Sequence, residues 1–250
     1  MPPTPTDPRR DDCPWCGSTS LRTRTKPGAQ AVDECLDCAH VFQNPRQTGP
    51  GTDPARGEGP RADGVRAAAT RLRHRLAARA MLPFPEPESW LDVGTGHADF
   101  PETARVLFPY TAFDGVDSGR RVERARRAGR LDEAHVGTLT APDVLTRLRS
   151  RYDVVSLLHH LEHTRDPRAE LRAALKALRP GGHLLIETTD PRRLPLPNVP
   201  HLLPPANVRA ELEAEGCELV TPTVPTLLTR TRLSRAYRLI ARKTAADRGA

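Results

Sequence analysis

The segment 91–96, Leu-Asp-Val-Gly-Thr-Gly, together with a carboxylate further along the chain, constrains this 250-residue protein most strongly. Asp92 lies just before a turn that contains Gly94 and Gly96, and Asp117 follows 25 positions later in Phe-Asp-Gly-Val-Asp. Glycines lack a Cβ, so the backbone can turn tightly and a ligand can approach it, while the helix that follows presents free N–H groups. A carboxylate that ends the neighbouring strand can accept hydrogen bonds from a ribose diol. The pair therefore predicts a nucleoside-binding cleft at the end of a parallel sheet.

The same turn argues against a nicotinamide dinucleotide site. That site requires Gly-x-Gly-x-x-Gly, whereas Asp99 stands at the third glycine position here. A carboxylate at that position would repel a pyrophosphate. Acids on both sides of the turn, Asp92 and Asp99, suit a cationic nucleoside without phosphates, and S-adenosylmethionine (SAM) is a ligand of that kind.

Four motifs in the same order resemble the class I SAM-dependent methyltransferases. The first, Asp-x-Gly-x-Gly-x-Gly in the family, stands here as Asp92, Gly94, Gly96 and Ala98, with alanine in place of the last glycine. The others resemble the family's fourth strand, its LEHxxDP segment and its LkPGG turn, and they lie at 152–158, 160–167 and 178–186. The resemblance implies an α/β fold with a Rossmann-like seven-stranded methyltransferase sheet, helices on both faces and an antiparallel last strand.

The resemblance also implies which residues bind SAM. Asp117 would bind the ribose hydroxyls, and Ser118 would flank the adenine. Because a ligand of a doubly wound sheet sits beyond the carboxyl ends of the strands, the implied lining is Asp92, Gly94, Thr95, Gly96, Asp117, Ser118, Thr138, Leu139 and His159. The family often has an aspartate at the position of Thr138, and a hydroxyl accepts a hydrogen bond more weakly than that carboxylate.

Methyl transfer requires the nucleophile, methyl group and sulfur to be in line, and it requires water to be excluded. An oxygen or carbon nucleophile can also lose a proton to a base, and histidine suits that role near neutral pH. His163 and His160 are candidate bases, because the Glu-His step lies near the acceptor site in similar ubiquinone-pathway O-methyltransferases. His201 is a third candidate, in a proline-rich segment that could close over substrate. The alternative is that Glu162 and His163 only hold the loop or cap the next helix, and that His201 is an exposed loop histidine.

Two Cys-x-x-Cys pairs separated by eighteen residues predict a structural zinc site at Cys13, Cys16, Cys35 and Cys38. Four thiolates complete a tetrahedral zinc and leave no open position for catalysis. A disulfide framework is disfavoured, because no signal peptide is recognisable before the cysteines and the chain is large enough to fold without disulfides. Residues 35–46 resemble the zinc-ribbon start of bacterial methyltransferases that modify small molecules, sugars and glycans. The fifth cysteine, Cys217, is expected in the core.

Composition favours a small-molecule acceptor over nucleic acid. The formal net charge of +7 suggests a nucleic-acid partner. Yet nearly all the basic residues are arginines, which indicates a compositional bias, and aromatic residues at 4% offer few platforms for base stacking. No apolar run approaches the ~18–20 residues of a membrane span, and reduced thiols predict a cytoplasmic protein with no membrane partner.

The predicted organisation has four parts: a disordered tail at 1–12, a zinc ribbon at 13–45, a linker or lid at 46–64 and a methyltransferase domain at 65–250. A helix over 65–81 could cap the SAM pocket, although packing on the sheet is favoured. The proline-rich segment 190–206 predicts irregular structure.

The leading hypothesis is a SAM-dependent methyltransferase acting on an oxygen or carbon of a small molecule, such as a sugar, glycan precursor or secondary metabolite. One alternative is an rRNA or tRNA methyltransferase, although the chain lacks an Asn/Asp-Pro-Pro-Tyr tetrad after the fourth strand. The other is a non-catalytic zinc-ribbon binding module on a degenerate methyltransferase fold.

Overall fold

Short strands and helices alternate along most of the chain. The computed structural model describes residues 6–24, 31–47, 64–191, 200–220 and 236–244. The strands are β1 (Leu21–Arg24), β2 (Val32–Cys35), β3 (Val41–Gln43), β4 (Ser89–Val93), β5 (Ala112–Asp117), β6 (Ala134–Val136), β7 (Tyr152–Leu158), β8 (Leu178–Thr189), β9 (His201–Leu202), β10 (Cys217–Leu219) and β11 (Ala236–Lys243). The helices are α1 (Gly64–Arg79), α2 (Asp99–Ala104), α3 (Arg121–Arg127), α4 (Pro142–Leu148), α5 (Pro167–Ala177) and α6 (Pro205–Ala214), with a 3-10 turn at Leu161–His163.

Seven strands form one sheet in the order β10-β11-β8-β7-β4-β5-β6. The five strands from β8 to β6 are parallel to one another, whereas β11 is antiparallel to β8. The central strands β4, β5 and β7 are buried along most of their length because both faces of the sheet are covered. The predicted seven-stranded methyltransferase sheet with an antiparallel last strand is therefore confirmed.

Successive residues of the central strands enter two separate cores, one on each face of the sheet. Leu91 packs in a core with residues of α4, α5 and α6, whereas its neighbour Trp90 packs in a core with residues of α1, α2 and α3. This alternation follows from the two-residue period of a strand. Because β4, β5, β6 and β7 are parallel, their carboxyl ends lie at the same edge of the sheet, where a doubly wound sheet binds its ligand.

A second, four-stranded antiparallel sheet has the order β1-β2-β3-β9. Its first three strands belong to the predicted ribbon, but β9 comes from the proline-rich segment that was expected to be irregular. That expectation is wrong at 201–202, where Val41 pairs with Leu202 and Phe42 with His201 in an edge strand that needs few backbone hydrogen bonds. It is also wrong at 205–206, where α6 begins with Pro205 in its first turn. Residues 192–199 of the same segment lie outside the described residues.

The expectation of a disordered N-terminal tail also changes in the structure. Residues 6–12 are not a disordered tail, because Arg9 pairs with Asp33 at 2.9 Å and the Arg10 N–H donates to Asn44 Oδ1 at 2.8 Å. Residues 1–5, and 48–63 of the predicted linker, lie outside the described residues. Helix α1 packs on the sheet, as favoured: its Ala77 and Ala78 share a core with Trp90 of β4. It also packs against α2, with the ring of His74 edge-on to Phe100. Across the described residues, no helix combines the length and apolar character that a membrane crossing demands.

Candidate functional site

The glycine turn after β4 is joined directly to the end of β5. Gly94 and Gly96 have φ values of +70° and +58°, in the left-handed region that favours glycine. The Gly94 N–H donates to Val116 O at 2.8 Å, and the Gly96 N–H donates to Asp117 Oδ2 at 2.9 Å. Thr95 lies buried between the two glycines. The structure thus brings together the turn and the carboxylate that the sequence singled out.

The Asp117 carboxylate accepts four hydrogen bonds. Besides Gly96, the Gly119 N–H donates to Oδ1 at 2.8 Å. The Arg121 guanidinium supplies the other two, from Nε to Oδ1 at 3.3 Å and from Nη2 to Oδ2 at 3.2 Å. The Asp117 side chain is 0% exposed and that of Arg121 is 12% exposed. Arg121 therefore covers the carboxylate that was expected to face a ribose.

The predicted lining residues Ser118, Thr138 and Leu139 lie near the same carboxylate. The Ser118 hydroxyl follows Asp117 directly and has no hydrogen-bond partner among the described residues, although it is buried. The Gly137 N–H donates to Asp117 O at 2.9 Å, and this hydrogen bond holds Thr138 and Leu139 near the site. Of these, Thr138 is exposed and Leu139 is buried. A buried hydroxyl without a partner is a position that a ligand can satisfy.

His160 occupies the space beside Gly94. A Cβ added to Gly94 would lie 2.2 Å from His160 Nδ1, so the missing side chain makes room for this ring in the structure. The opposite nitrogen, Nε2, lies 3.1 Å from Glu170 Oε1 on α5. Burial is the largest single effect on the pKa of His160 and lowers it, but the hydrogen bond to Glu170 and the negative charges of Glu170, Asp117 and Glu162 together shift the pKa upward. The imidazole is thus fixed between the turn and a carboxylate.

His159 leaves β7 with a φ of +53° and enters a cluster of charged side chains. Its Nδ1 lies 2.8 Å from Glu162 Oε1, and its Nε2 lies 3.4 Å from Glu187 Oε1 and 3.3 Å from Arg73 Nη1. Burial alone would lower the pKa of His159, but the hydrogen bonds to Glu162 and Glu187 raise it to about 9. His159 is therefore a cation near neutral pH, held between two buried carboxylates.

Asp92 is buried and is held by side chains of the sheet. The Ser156 hydroxyl donates to Asp92 Oδ1 at 2.6 Å and accepts from Trp90 Nε1 at 3.0 Å. Burial raises the pKa of Asp92 to about 6, with the Ser156 bond acting against it. These hydrogen bonds join β4 to β7 just before the glycine turn that begins at Gly94.

Four cysteine sulfurs converge in the N-terminal ribbon. The Sγ atoms of Cys13 and Cys38 are 3.7 Å apart and those of Cys16 and Cys35 are 3.5 Å apart, and all four lie within 4.8 Å of one another. Thiolates bound to one tetrahedral zinc at about 2.3 Å would stand about 3.8 Å apart. The donor set and the spacing fit that ion. Cys217 is buried in the core, as expected.

The comparison that decides the family is a match of residues 62–224 to the family described as "Methyltransferase domain". This chain belongs to that family. The matched region is about two thirds of the chain, and it contains the glycine turn, Asp117 and both histidines of the cleft. Membership confirms the resemblance to the class I SAM-dependent methyltransferases.

Curated relatives match a shorter part of this methyltransferase. The ubiquinone biosynthesis O-methyltransferase of Aeromonas salmonicida is 31% identical over 103 residues, which cover 40% of this chain and 42% of that protein. The protein of the same name from Caulobacter vibrioides is 33% identical over 115 residues, which cover 46% of this chain and 44% of that protein. The chain thus aligns with less than half the length of these relatives.

Solved structures share the fold of the methyltransferase domain. A SAM-bound amino pentose methyltransferase from Micromonospora echinaspora has a TM-score of 0.53 at 21% identity, covering 75% of this chain and 100% of that chain. A sugar N-methyltransferase from Streptoalloteichus has a TM-score of 0.54 at 18% identity, covering 76% of this chain and 96% of that chain. A [4+2]-cyclase also matches, with a TM-score of 0.52 at 16% identity, covering 72% of this chain and 83% of that chain, so the fold alone does not fix the reaction.

The other two candidate bases of the methyltransferase lie in different surroundings. The His163 N–H donates to His160 O at 3.0 Å, and the His163 carbonyl accepts from Arg46 Nη2 at 3.3 Å, so this residue stays in the loop beside the cleft. His201 is only 4% exposed, and its Nδ1 lies 3.2 Å from His40 Nε2 of the ribbon. Burial lowers the pKa of His201 to about 3. The structure therefore gives His201 a buried packing contact instead of an exposed position over the cleft.

Sequence reasoning missed Arg121, Glu170, Arg73 and Glu187 of the candidate site. Arg121 stands four residues after Asp117, but the two are separated by the loop between β5 and α3, so no helical pattern signals the ion pair. Glu170 and Arg73 come from other elements, and no local pattern connects them with His160 or His159.

Proposed function

We propose that this chain is a methyltransferase that transfers a methyl group from SAM to an oxygen or carbon of a small molecule, of the sugar, glycan-precursor or secondary-metabolite class. The observation that carries the proposal is the 2.9 Å hydrogen bond from the Gly96 N–H to Asp117 Oδ2, which holds the carboxylate that would bind the ribose against a glycine turn. The unpartnered Ser118 hydroxyl beside it supports the same ligand. The family match, and sugar methyltransferases among proteins of the same fold, agree with it.

The roles of the residues follow from their positions. Asp117 would accept hydrogen bonds from the ribose hydroxyls, Ser118 and Thr138 would flank the adenine, and the glycine turn would pass close to the nucleoside. SAM itself supplies an activated methyl group on a sulfonium. The chain's own task is to hold the acceptor in line with that methyl and to exclude water.

His160 is the candidate base that we favour, with His163 as the alternative. In support of His160, its ring contacts the turn at Gly94 while Glu170 fixes the opposite nitrogen. A carboxylate that orients an imidazole is the usual arrangement of a general base. His159 lacks that role because its pKa of about 9 keeps it protonated near neutral pH. We assign His159 the role of balancing the negative charges of Glu162 and Glu187 beside the cleft.

Calorimetry with S-adenosylhomocysteine (SAH) tests the cofactor assignment. Asp117→Ala should weaken binding by about 1–3 kcal/mol, or roughly 5- to 150-fold, because ribose hydroxyls lose their acceptor. Asp143→Ala is the matched control, since that carboxylate is 71% exposed on α4. No binding to the wild-type protein at millimolar SAH would contradict the proposed function, and equal affinity of both variants would remove Asp117 from the site.

The acceptor class can be tested by following SAH release from SAM. Sugars, sugar nucleotides and phenolic metabolites are offered in parallel with total RNA. Turnover with a small molecule supports the proposal. Turnover only with RNA, together with RNA binding that falls steeply with salt, would replace the small-molecule acceptor with a nucleic acid.

We also propose that the four ribbon cysteines hold one structural zinc. Metal analysis should find one zinc per chain, and a double Cys13→Ser/Cys35→Ser variant should lose it because two of four ligands are gone. Cys217→Ser is the matched control, because that buried cysteine lies on β10 of the seven-stranded sheet and is not one of the four ribbon ligands. Undiminished zinc in the double variant would contradict the assignment.

A further inference from the structure

We propose that Arg121 sets the affinity of the cofactor site, because its guanidinium occupies the hydrogen-bonding positions of Asp117 that a ribose diol requires. The nucleoside would have to displace Arg121 in order to bind. This inference rests on the proposed function, since it assumes that the ligand of the cleft is a nucleoside.

The carboxylate has no acceptor position left while Arg121 is bound. An ionised carboxylate offers about four lone-pair sites, two on each oxygen. Oδ1 accepts from the Gly119 N–H at 2.8 Å and from Arg121 Nε at 3.3 Å. Oδ2 accepts from the Gly96 N–H at 2.9 Å and from Arg121 Nη2 at 3.2 Å. A ribose diol can therefore donate to both oxygens only after one of the present donors has left each oxygen.

Arg121 is the donor that can leave both oxygens at once. The N–H groups of Gly96 and Gly119 belong to the backbone of the turn and of the loop after β5, so breaking their bonds would reshape the cleft. The two hydrogen bonds from Arg121 are the longest of the four, and its guanidinium lies at the end of a side chain with several rotatable bonds. One rotamer change would open one position on Oδ1 and one on Oδ2, the number that a diol uses.

Arg121 also covers the surface that the second glycine leaves open. The Cζ and Nε atoms of Arg121 lie 3.6 Å from the place where a Cβ of Gly96 would stand. The guanidinium is therefore in ordinary van der Waals contact with the turn. Together with the complete burial of the Asp117 side chain, this contact shows that one side chain closes both the acceptor and the backbone surface beside it.

A binding site that is open for only a fraction of the time has its apparent affinity reduced by that fraction. If Arg121 covers Asp117 for about 90–99% of the time, its removal should tighten nucleoside binding about 10- to 100-fold. SAH is the suitable probe because, unlike SAM, it carries no sulfonium. A gain in SAH affinity therefore cannot arise from the relief of repulsion between Arg121 and a cationic sulfur.

The experiment compares SAH affinity by calorimetry in the wild-type protein, Arg121→Gln, Arg121→Lys and Arg126→Gln. Arg126 is the matched control, because it is an exposed arginine of the same helix. Arg121→Gln should bind SAH at least about tenfold more tightly, and Arg121→Lys should be intermediate because an ammonium cannot bridge both oxygens. Arg126→Gln should match the wild type. Equal or weaker SAH binding by Arg121→Gln, with the wild type binding, would overturn the inference and leave the proposed function intact.

A second measurement covers the case in which Arg121→Gln fails to fold. In the wild-type protein, the Nε–Hε resonance of Arg121 should be protected from exchange with water and should lose that protection when SAH is added. A protected resonance that persists at saturating SAH would overturn the inference. An absence of any SAH binding, in contrast, would contradict the proposed function itself.

Discussion

Replacing Gly94 with alanine tests whether the turn after β4 makes room for His160. At a φ of +70°, an L-residue costs about 1 kcal/mol in backbone strain. The new Cβ would lie 2.2 Å from Nδ1, 2.9 Å from Cγ and 3.0 Å from Cε1 of His160, so the ring has to move as a whole. Its contact with Glu170, which is nearly buried, would be broken at a cost of about 1–3 kcal/mol. We expect Gly94→Ala to lower the free energy of unfolding by about 2–4 kcal/mol.

Gly129→Ala is a matched control for this substitution. Gly129 has a φ of +72°, but nothing lies within 4 Å of its added Cβ, so only the backbone cost remains. Urea denaturation of both variants should show a difference of about 1–3 kcal/mol, which we assign to His160. In a His160→Ala background the difference should vanish. Equal losses in the wild-type background, or an excess that survives without the His160 ring, would refute the reasoning.

Three further predictions concern the buried charges and the ribbon. Ser156→Ala should lower the free energy of unfolding by about 2–4 kcal/mol, measured by urea denaturation, because Asp92 and Trp90 Nε1 both lose their hydrogen bond to the Ser156 hydroxyl. Ser20→Ala, at an exposed serine, should lower it by less than about 0.5 kcal/mol. Equal losses in the two variants would contradict this prediction. The pKa of His159 is raised from 6.5 to about 9, so its stabilisation is complete below pH 6.5 and is lost as the pH rises through about 9. The stability difference between wild type and His159→Gln should accordingly shrink by up to about 3 kcal/mol from pH 6.5 to 10, and a difference independent of pH would exclude the charged pairing. Removing the proposed zinc with a chelator should lower the melting temperature of the whole chain, because the ribbon is bonded to α5 and α6; an unchanged melting curve of the methyltransferase domain would show that the two parts are uncoupled.

The sequence predicted the sheet and the turn because their signals are local. The apolar run of β7 and the glycines after β4 each lie within a few residues, and the order of the motifs set their arrangement. Asp117 followed from the same logic, since it ends the neighbouring strand. Contacts between distant segments could not be predicted in this way. His201 packs on His40, 161 positions away, and Glu170 meets His160 only because of the direction in which α5 runs.

The side chain of Arg121 shows a further limit of sequence reasoning. The motif identified Asp117 as an acceptor, but the availability of that acceptor depends on a rotamer. Asp117 ends β5 and Arg121 begins α3, and the short loop between them allows an ion pair but equally allows the arginine to point into solvent. The structure supplies the missing information, namely that the carboxylate is already fully occupied.

Strand β9 makes the N-terminal ribbon depend on residues near the other end of the chain. The ribbon is synthesised first, yet β3 remains an open edge until residues 201–202 have been made and have folded back onto it. An open edge is a template for pairing with another chain. A truncated protein that stops before residue 200 would therefore be expected to associate through β3, and the maturation of the ribbon is coupled to nearly complete translation of the methyltransferase domain.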